Sequence, residues 1–130
     1  MIFVYGTLKI SGGNAKSFDD QRLRVIPGIV WGFRMISLGG YPGAIKDPHH
    51  IIKGELHFYN DIVDVLTRMD HIEGYDVLSP KSSLYTREIV TVETERGTYP
   101  AYMYIYNGSR RRTDKQYTVK SGEWKNGALI

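Results

Sequence analysis

The apolar residues of this chain fall in short runs that glycine and proline repeatedly interrupt, a pattern typical of β-strands. The first run, residues 1–4, breaks at once into the turn-like stretch Tyr5-Gly6-Thr7-Leu8. In the second run, Pro27-Gly28 and Gly32 predict bends or bulges. Strands are therefore predicted at residues 1–4, within 23–38, at 51–59, at 85–94 and at 98–106.

One segment follows helical spacing instead. Its apolar residues form a single stripe: Ile62, Val65, Leu66 and Met69. Asn60 or Asp61 is suited to begin this helix and Gly74 to end it. A shorter helix is predicted near residues 15–20, and a turn at residues 39–43. Several short strands with one main helix favour a small closed barrel, because closure removes exposed strand edges.

Composition narrows the class of protein. A chain of 130 residues with 42% hydrophobic and 24% charged residues predicts one domain, residues 1–130, with one core. Because the chain has no cysteine, disulfides, thiolate zinc sites and cysteine nucleophiles are excluded. The N-terminal apolar run is too short for a signal peptide, and no stretch approaches the roughly 20 apolar residues of a membrane span. A soluble, cytoplasmic protein with no membrane partner is predicted.

Two local features could carry chemistry. A glycine turn directly after a strand, as at residues 5–8, can direct backbone N–H groups toward an anion or a developing oxyanion, although it can also simply end the strand. Asp70 and Glu73 lie three residues apart at the predicted helix C-terminus and so share a face. Acidic groups there meet the negative end of the helix dipole. They indicate either a solvated helix end beside a basic residue or a carboxyl group tuned for acid–base catalysis.

The histidines and the basic residues point to no metal or nucleic acid. The four histidines lack the spacing of metal ligands, so no metal site is predicted. The net charge is +3, and the one basic run is Arg110-Arg111-Arg112. That run could contact phosphate, but a solvated loop is the simpler interpretation. Nucleic-acid-binding domains usually concentrate basic charge on one face, so a nucleic-acid partner is not predicted.

Four short segments occur in a distinctive order. They are Phe3-Val4-Tyr5-Gly6-Thr7-Leu8-Lys9, Tyr41-Pro42-Gly43, Lys53-Gly54-Glu55-Leu56, and a stretch running from Met69-Asp70-His71-Ile72-Glu73-Gly74-Tyr75 to Tyr85-Thr86-Arg87. With the hairpin that ends in Ala101-Tyr102-Met103-Tyr104-Ile105-Tyr106, they resemble the γ-glutamylcyclotransferase-like proteins, in particular the γ-glutamylamine cyclotransferase and AIG2-like branches. The resemblance covers about residues 1–106.

The resemblance implies a fold and a reaction. The fold would be α+β, a small mixed β-barrel with one main helix and flanking short helices. In the reaction, the α-amine of a γ-glutamyl group attacks its own γ-carbonyl, which releases 5-oxoproline and an amine or amino acid, with no metal or organic cofactor. By the motif match, Glu73 would be the catalytic acid and base. Tyr5, Gly6, Thr7 and Leu8 would bind the γ-glutamyl group of the small-molecule substrate.

The resemblance also leaves alternatives open. The same fold could be a non-catalytic AIG2-like module that binds a small acidic ligand. The segment after Lys9, the basic loop with residues 110–112 and the tail 124–130 match nothing in the family. The identity of the γ-glutamyl substrate and the oligomeric state therefore stay open at this level.

Overall fold

Five strands form a closed barrel in the order β1-β3-β2-β4-β5. The computed structural model describes residues 1–9, 13–107 and 117–125. β1 pairs with β5 in parallel and with β3 antiparallel, so the sheet is mixed. The elements are β1 (Ile2–Val4), a 3₁₀ turn (Ala15–Phe18), β2 (Arg22–Ser37), β3 (Pro42–Tyr59), helix α1 (Ile62–Glu73), a second 3₁₀ turn (Pro80–Ser82), β4 (Tyr85–Thr94) and β5 (Gly97–Tyr106). This confirms the predicted α+β barrel.

The β2–β3 hairpin is longer and more regular than its sequence indicates. β2 and β3 contain 16 and 18 residues. Their register shifts between Trp31 and Phe33, where Gly32 has a φ of +86°, so the predicted bulge at Gly32 is confirmed. The predicted interruption at Pro27-Gly28 is wrong, because both residues keep their pairing with β3.

The start of β3 also differs from the prediction. The strand begins at Pro42 rather than at residue 51, and the predicted turn at residues 39–43 is accordingly shorter. It is closed by the Leu38 N–H group, which donates to the Tyr41 carbonyl over 2.9 Å. Pairing with β2 holds residues 42–46 extended, and the strand continues through residues 47–50, although the composition of residues 42–50 gives no strand pattern.

The side chains on the two faces of the strands pack into two separate apolar layers. Alternate residues such as Phe3 and Met103 pack with Trp124 inside the barrel. The residues between them, including Ile2 and Tyr104, pack in a second layer with helix α1. The period-2 alternation of a strand explains this division.

Helix α1 forms as its sequence predicts. Asp61 caps the N-terminus by accepting a hydrogen bond from the Asp64 N–H group. Gly74 ends the helix in the left-handed conformation, with a φ of +64°. The predicted stripe is buried at three of its four positions: Val65, Leu66 and Met69. Within the described ranges, this 12-residue helix and the 3₁₀ turns offer nothing of the length and apolar character that crossing a membrane requires.

A C-terminal segment, residues 117–125, closes part of the barrel. Val119 and Trp124 are buried in the interior layer. The Lys53 N–H group donates to the Gly122 carbonyl over 2.7 Å, and the Val119 N–H group to the Met35 carbonyl over 2.8 Å. The predicted basic loop with Arg110–Arg112 lies outside the described residues.

Candidate active site

A cavity of about 360 Å³ opens where the end of β1, the β2–β3 turn and the C-terminus of α1 meet strands β4 and β5. The five residues predicted for the site, Tyr5, Gly6, Thr7, Leu8 and Glu73, all line it. Glu73 is therefore a neighbour in space of the turn at residues 5–8, although β2, β3 and most of α1 lie between them in the sequence. The rest of the lining is Phe3, Val4, Asn14, Gly40, Tyr41, Pro42, Ile72, Leu84, Tyr85 and Tyr104.

The turn at residues 5–8 is held in place from several sides. The Lys9 N–H group donates to the Gly6 carbonyl over 3.0 Å, which closes the turn. Asn14 binds Thr7 twice, through its backbone N–H to the Thr7 carbonyl at 2.8 Å and through Nδ2 to Oγ1 at 2.9 Å. A side chain at Gly6 would approach Pro42 ring carbons to 2.8 Å, so close packing with the β3 strand requires glycine here.

The turn presents free backbone donors. Within the described parts of the chain, the N–H groups of Gly6, Thr7 and Leu8 donate to no protein acceptor. Buried backbone donors are normally paired. Three consecutive unpaired N–H groups beside a cavity can therefore bind an anionic or carbonyl oxygen.

Glu73 is the last residue of α1 and has an unusual environment. Burial raises the pKa of its carboxyl group from 4.5 to about 7. Among the described residues the carboxyl group forms no hydrogen bond or ion pair, so nothing offsets the loss of solvation. At neutral pH, Glu73 exists in both protonation states and can both accept and donate a proton.

Tyrosines form much of the remaining wall. The Tyr5 hydroxyl donates to the Tyr104 carbonyl over 2.6 Å, and the Tyr85 hydroxyl donates to the Pro42 carbonyl over 2.6 Å. Burial, with the nearby Glu73 charge as a further cause, raises the pKa of both phenols. They remain neutral, and their oxygen lone pairs can still accept a hydrogen bond from a ligand.

The sequence interpretation missed the wall residues Asn14, Tyr41, Tyr85 and Tyr104. A signal for the tyrosines was present, because the chain contains 10 of them. Tyr102, Tyr104 and Tyr106 alternate along β5 and so share its outer face. Asn14 carries no such signal, since only the folded loop brings it to Thr7.

Asp70, three residues before Glu73, has the opposite environment. Arg87 Nη1 lies 2.6 Å from one of its carboxylate oxygens, and the Tyr104 hydroxyl donates to the other over 2.5 Å. Of the two readings of acidic residues at the helix end, neutralisation by a basic residue applies to Asp70. The tuned carboxyl group is Glu73.

A second cavity of about 560 Å³ is larger but differs in chemistry. Its described lining includes Lys9, Lys53 and four glutamates. Glu93 and Glu95 are exposed, and Glu55 hydrogen-bonds to His57 over 3.0 Å. The smaller cavity, lined both by the buried Glu73 carboxyl group and by the turn with the unpaired N–H groups, is therefore the candidate active site.

Glu73→Gln is expected to stabilise the protein by about 2–3 kcal/mol at pH 8 and to leave its stability unchanged at pH 4. A buried carboxyl with a folded pKa near 7 and an unfolded pKa near 4.5 binds more protons when folded. Its stability contribution is complete below pH 4.5 and is lost as pH rises through 7. Urea denaturation of both proteins at pH 4, 6 and 8 measures this difference.

The exposed Glu95 supplies the control for that measurement. Glu95→Gln should change stability by the same small amount at every pH. Equal stability of Glu73→Gln and the unmodified protein at pH 8 would mean that the Glu73 carboxylate is solvated in the folded state.

Comparison with known proteins agrees with this geometry. The family described as "Gamma-glutamyl cyclotransferase, AIG2-like" matches residues 2–126. The chain belongs to this family. The match extends beyond the resemblance read from the sequence, which ended near residue 106, and takes in the segment that carries Val119 and Trp124.

Individual relatives are distant. The chain is 27% identical over 124 residues to the gamma-L-glutamyl-butirosin B gamma-glutamyl cyclotransferase of Niallia circulans, covering 95% of this chain and 74% of that protein. The crystal structure of an AIG2-like protein from Mus musculus matches this chain with a TM-score of 0.70 and 18% identity, covering 95% of this chain and 86% of that one. YkqA from Bacillus subtilis has a TM-score of 0.68 and 22% identity over 95% of this chain, which spans only 38% of YkqA.

The two kinds of likeness carry different weight. The structures are similar in fold alone, because their sequences are less than 25% identical. Membership of the gamma-glutamyl cyclotransferase, AIG2-like family, together with the Niallia relative, supports an enzyme of the cyclotransferase type.

Proposed function

We propose that this protein is a γ-glutamyl cyclotransferase that converts a γ-glutamyl amine or γ-glutamyl peptide into 5-oxoproline and a free amine or amino acid. The observation that carries the proposal is the position of Glu73. Its carboxyl group, with a pKa of about 7, lines the same cavity as the free N–H groups of residues 6–8. Cyclisation needs a proton carrier and an oxyanion site within reach of one small substrate.

The first step is activation of the nucleophile. The Glu73 carboxylate takes a proton from the substrate α-ammonium group, and the freed amine nitrogen attacks the γ-carbonyl carbon. A new carbon–nitrogen bond closes the five-membered ring, while the carbonyl π-electrons move to oxygen. Because both reacting groups belong to one substrate, the cavity contributes mainly by holding that substrate in its folded, reactive shape.

The second step is collapse of the tetrahedral intermediate. The bond to the leaving nitrogen breaks as that nitrogen gains a proton from Glu73, and the oxyanion returns to a carbonyl. Across the reaction two protons leave the α-nitrogen and two reach the leaving nitrogen. One carboxyl group that passes through both protonation states near neutral pH can transfer both.

In this mechanism the free N–H groups of the turn bind the oxygen of the substrate γ-carbonyl, which becomes negatively charged. Donors fixed before the reaction stabilise negative charge in the transition state without reorganising. In this chain the turn is held by Asn14 and by the packing of Gly6 against Pro42. We assign Gly6, Thr7 and Leu8 to binding the γ-glutamyl group, and Tyr5 to the wall that fixes the turn.

The open side of the cavity favours an uncharged leaving group. Tyr41, Ile72 and Leu84 line it and are each 41% exposed. In the described part of the lining, Glu73 is the one charged group and no lysine, arginine or histidine occurs. An amino-acid leaving group carries a carboxylate, and a carboxylate placed there without a partner is unfavourable.

A matched pair of substrates tests both the reaction and this preference. γ-Glutamyl-leucine and γ-glutamyl-(3-methylbutyl)amine differ only in the leucine carboxylate. We expect 5-oxoproline from the amine derivative with a kcat/KM about tenfold higher or more, which corresponds to about 1.4 kcal/mol. Chromatographic detection of 5-oxoproline measures both rates.

A pair of lysine variants separates the lining from the general surface. Leu84→Lys should raise kcat/KM for γ-glutamyl-leucine, whereas Leu78→Lys, at a side chain that is 88% exposed and outside the lining, should not. Faster turnover of γ-glutamyl-leucine by the unmodified protein would contradict the preference. Saturable binding of both compounds without any 5-oxoproline would contradict catalysis and favour a binding module.

A further inference from the structure

The Asp70 carboxylate joins three elements of the fold at the end of α1. Tyr104, on β5, donates its hydroxyl to Oδ1 over 2.5 Å, and Arg87, on β4, donates Nη1 to Oδ2 over 2.6 Å. The side chains of Asp70 and Arg87 are only 19% and 20% exposed. Charge-assisted hydrogen bonds in a partly desolvated setting are stronger and better fixed than exposed surface pairs.

Arg87 is itself confined. Its guanidinium carbon lies 5.5 Å from the centre of the Tyr75 ring and 5.3 Å from that of Tyr102. Aromatic faces at these distances attract a guanidinium group. Tyr75 is the second residue after the helix, and its N–H group donates to the Asp70 carbonyl over 2.9 Å. Both the backbone and the side chain of Asp70 are therefore anchored.

These contacts act on the turn that carries Glu73. Asp70 and Glu73 are three residues apart on α1, so their side chains emerge on the same side of the helix. An Asp70 carboxylate without its counterion would place a negative charge one helical turn from the Glu73 carboxyl group. It would also leave the last helical turn without its attachment to β4 and β5.

We propose that Asp70 and Arg87 are positioning residues for Glu73: their ion pair fixes the last turn of α1 against the barrel and cancels a negative charge beside the catalytic carboxyl group. The inference rests on the proposed function, because it assigns Glu73 the role of acid and base. It differs from a purely structural role in one respect. The charge of each partner, and not only its packing, should affect the Glu73 proton.

The other titratable groups around Glu73 do not obscure the effect of the Asp70 and Arg87 charges on its pKa. The titratable groups in the described lining are phenols: Tyr5, Tyr41, Tyr85 and Tyr104. Burial raises the pKa of Tyr5, Tyr85 and Tyr104 above that of a free phenol, so these groups do not titrate in the range of interest. His71 lies on α1 but is exposed, and residues two apart on a helix do not face each other.

The test is the pH profile of kcat/KM in a set of charge variants. Arg87→Met should raise the apparent pKa of the acidic limb by about half a pH unit or more, because the Asp70 carboxylate, without its counterion, disfavours ionised Glu73. Asp70→Asn should lower the apparent pKa of this limb by a similar amount, since Arg87 without its partner favours ionised Glu73. Arg87→Lys and the double variant Asp70→Asn with Arg87→Met should lie close to the unmodified protein.

The exposed Lys46–Glu88 pair, 3.2 Å apart, provides the control, and Lys46→Met should leave the limb where it is. A common loss of activity in the Asp70 and Arg87 variants, with the limb unmoved, would overturn the proposal and leave a structural role. If the unmodified protein forms no 5-oxoproline, the proposed function fails instead. NMR titration of the Glu73 carboxyl carbon in the same variants then decides the charge effect directly, with the same opposite shifts expected.

Discussion

Glu73→Gln is expected to lower kcat/KM for 5-oxoproline release by about 100- to 10,000-fold. Glutamine fills nearly the same volume but cannot accept a proton from the α-ammonium group or return one to the leaving nitrogen. The buried carboxyl group, with a pKa of about 7, is the one group of the described lining that changes its protonation near neutral pH. Steady-state assay of 5-oxoproline from a γ-glutamyl amine measures the loss.

This loss can be separated from unfolding. Glu73→Gln is expected to be more stable than the unmodified protein at pH 8, so the variant remains folded under the assay conditions. Its substrate affinity, measured by calorimetry, should change little compared with kcat. Glu95→Gln, at an exposed turn position, should retain full activity. Full activity in Glu73→Gln would remove this residue from the mechanism.

Trp124→Ala is expected to lower the free energy of unfolding by about 3–5 kcal/mol. The Trp124 side chain is 4% exposed and packs in the barrel interior with residues of the strands. Truncation would leave a cavity that the closed barrel cannot easily fill. The Trp124 carbonyl also accepts a hydrogen bond over 2.6 Å from Nζ of Lys9, the residue that directly follows the turn at residues 5–8. Urea denaturation monitored by far-ultraviolet circular dichroism measures the change.

The second tryptophan gives a matched control. Trp31 is 63% exposed and hydrogen-bonds to Glu93 at the surface. Trp31→Ala should therefore cost less than about 1 kcal/mol. If Trp124→Ala costs no more than Trp31→Ala, the C-terminal segment does not contribute to the barrel core as the structure indicates.

Features encoded within a few neighbouring residues were predictable. Helix α1 has its cap at Asp61, its apolar stripe and its terminal Gly74 within one short stretch, and all three were readable. The β4–β5 hairpin was equally clear, because two alternating runs flank a glycine turn. The bulge at Gly32 follows from the same local reasoning, since glycine readily adopts the positive φ found there.

Features that depend on distant partners were not predictable. Residues 42–46 were not predicted as strand but pair along β2, because strand pairing outweighs a weak local preference. Pro27 and Gly28 read as an interruption but stay in register, since their partners on β3 hold them extended. The segment with Val119 and Trp124 gave no pattern of its own, and its burial comes from the barrel that it enters.

By itself, the sequence determined the barrel class, the main helix, the glycine turn at residues 5–8 and the likeness to γ-glutamyl cyclotransferases. Only the tertiary structure decided the different environments of Asp70 and Glu73. Both are acidic residues at one helix end, and local rules treat them alike. Arg87 reaches Asp70 from strand β4 and neutralises it, whereas Glu73 is buried in the cavity and has no partner among the described residues. Desolvation depends on everything that surrounds a group in space, so the pKa of Glu73 is a property of the folded barrel.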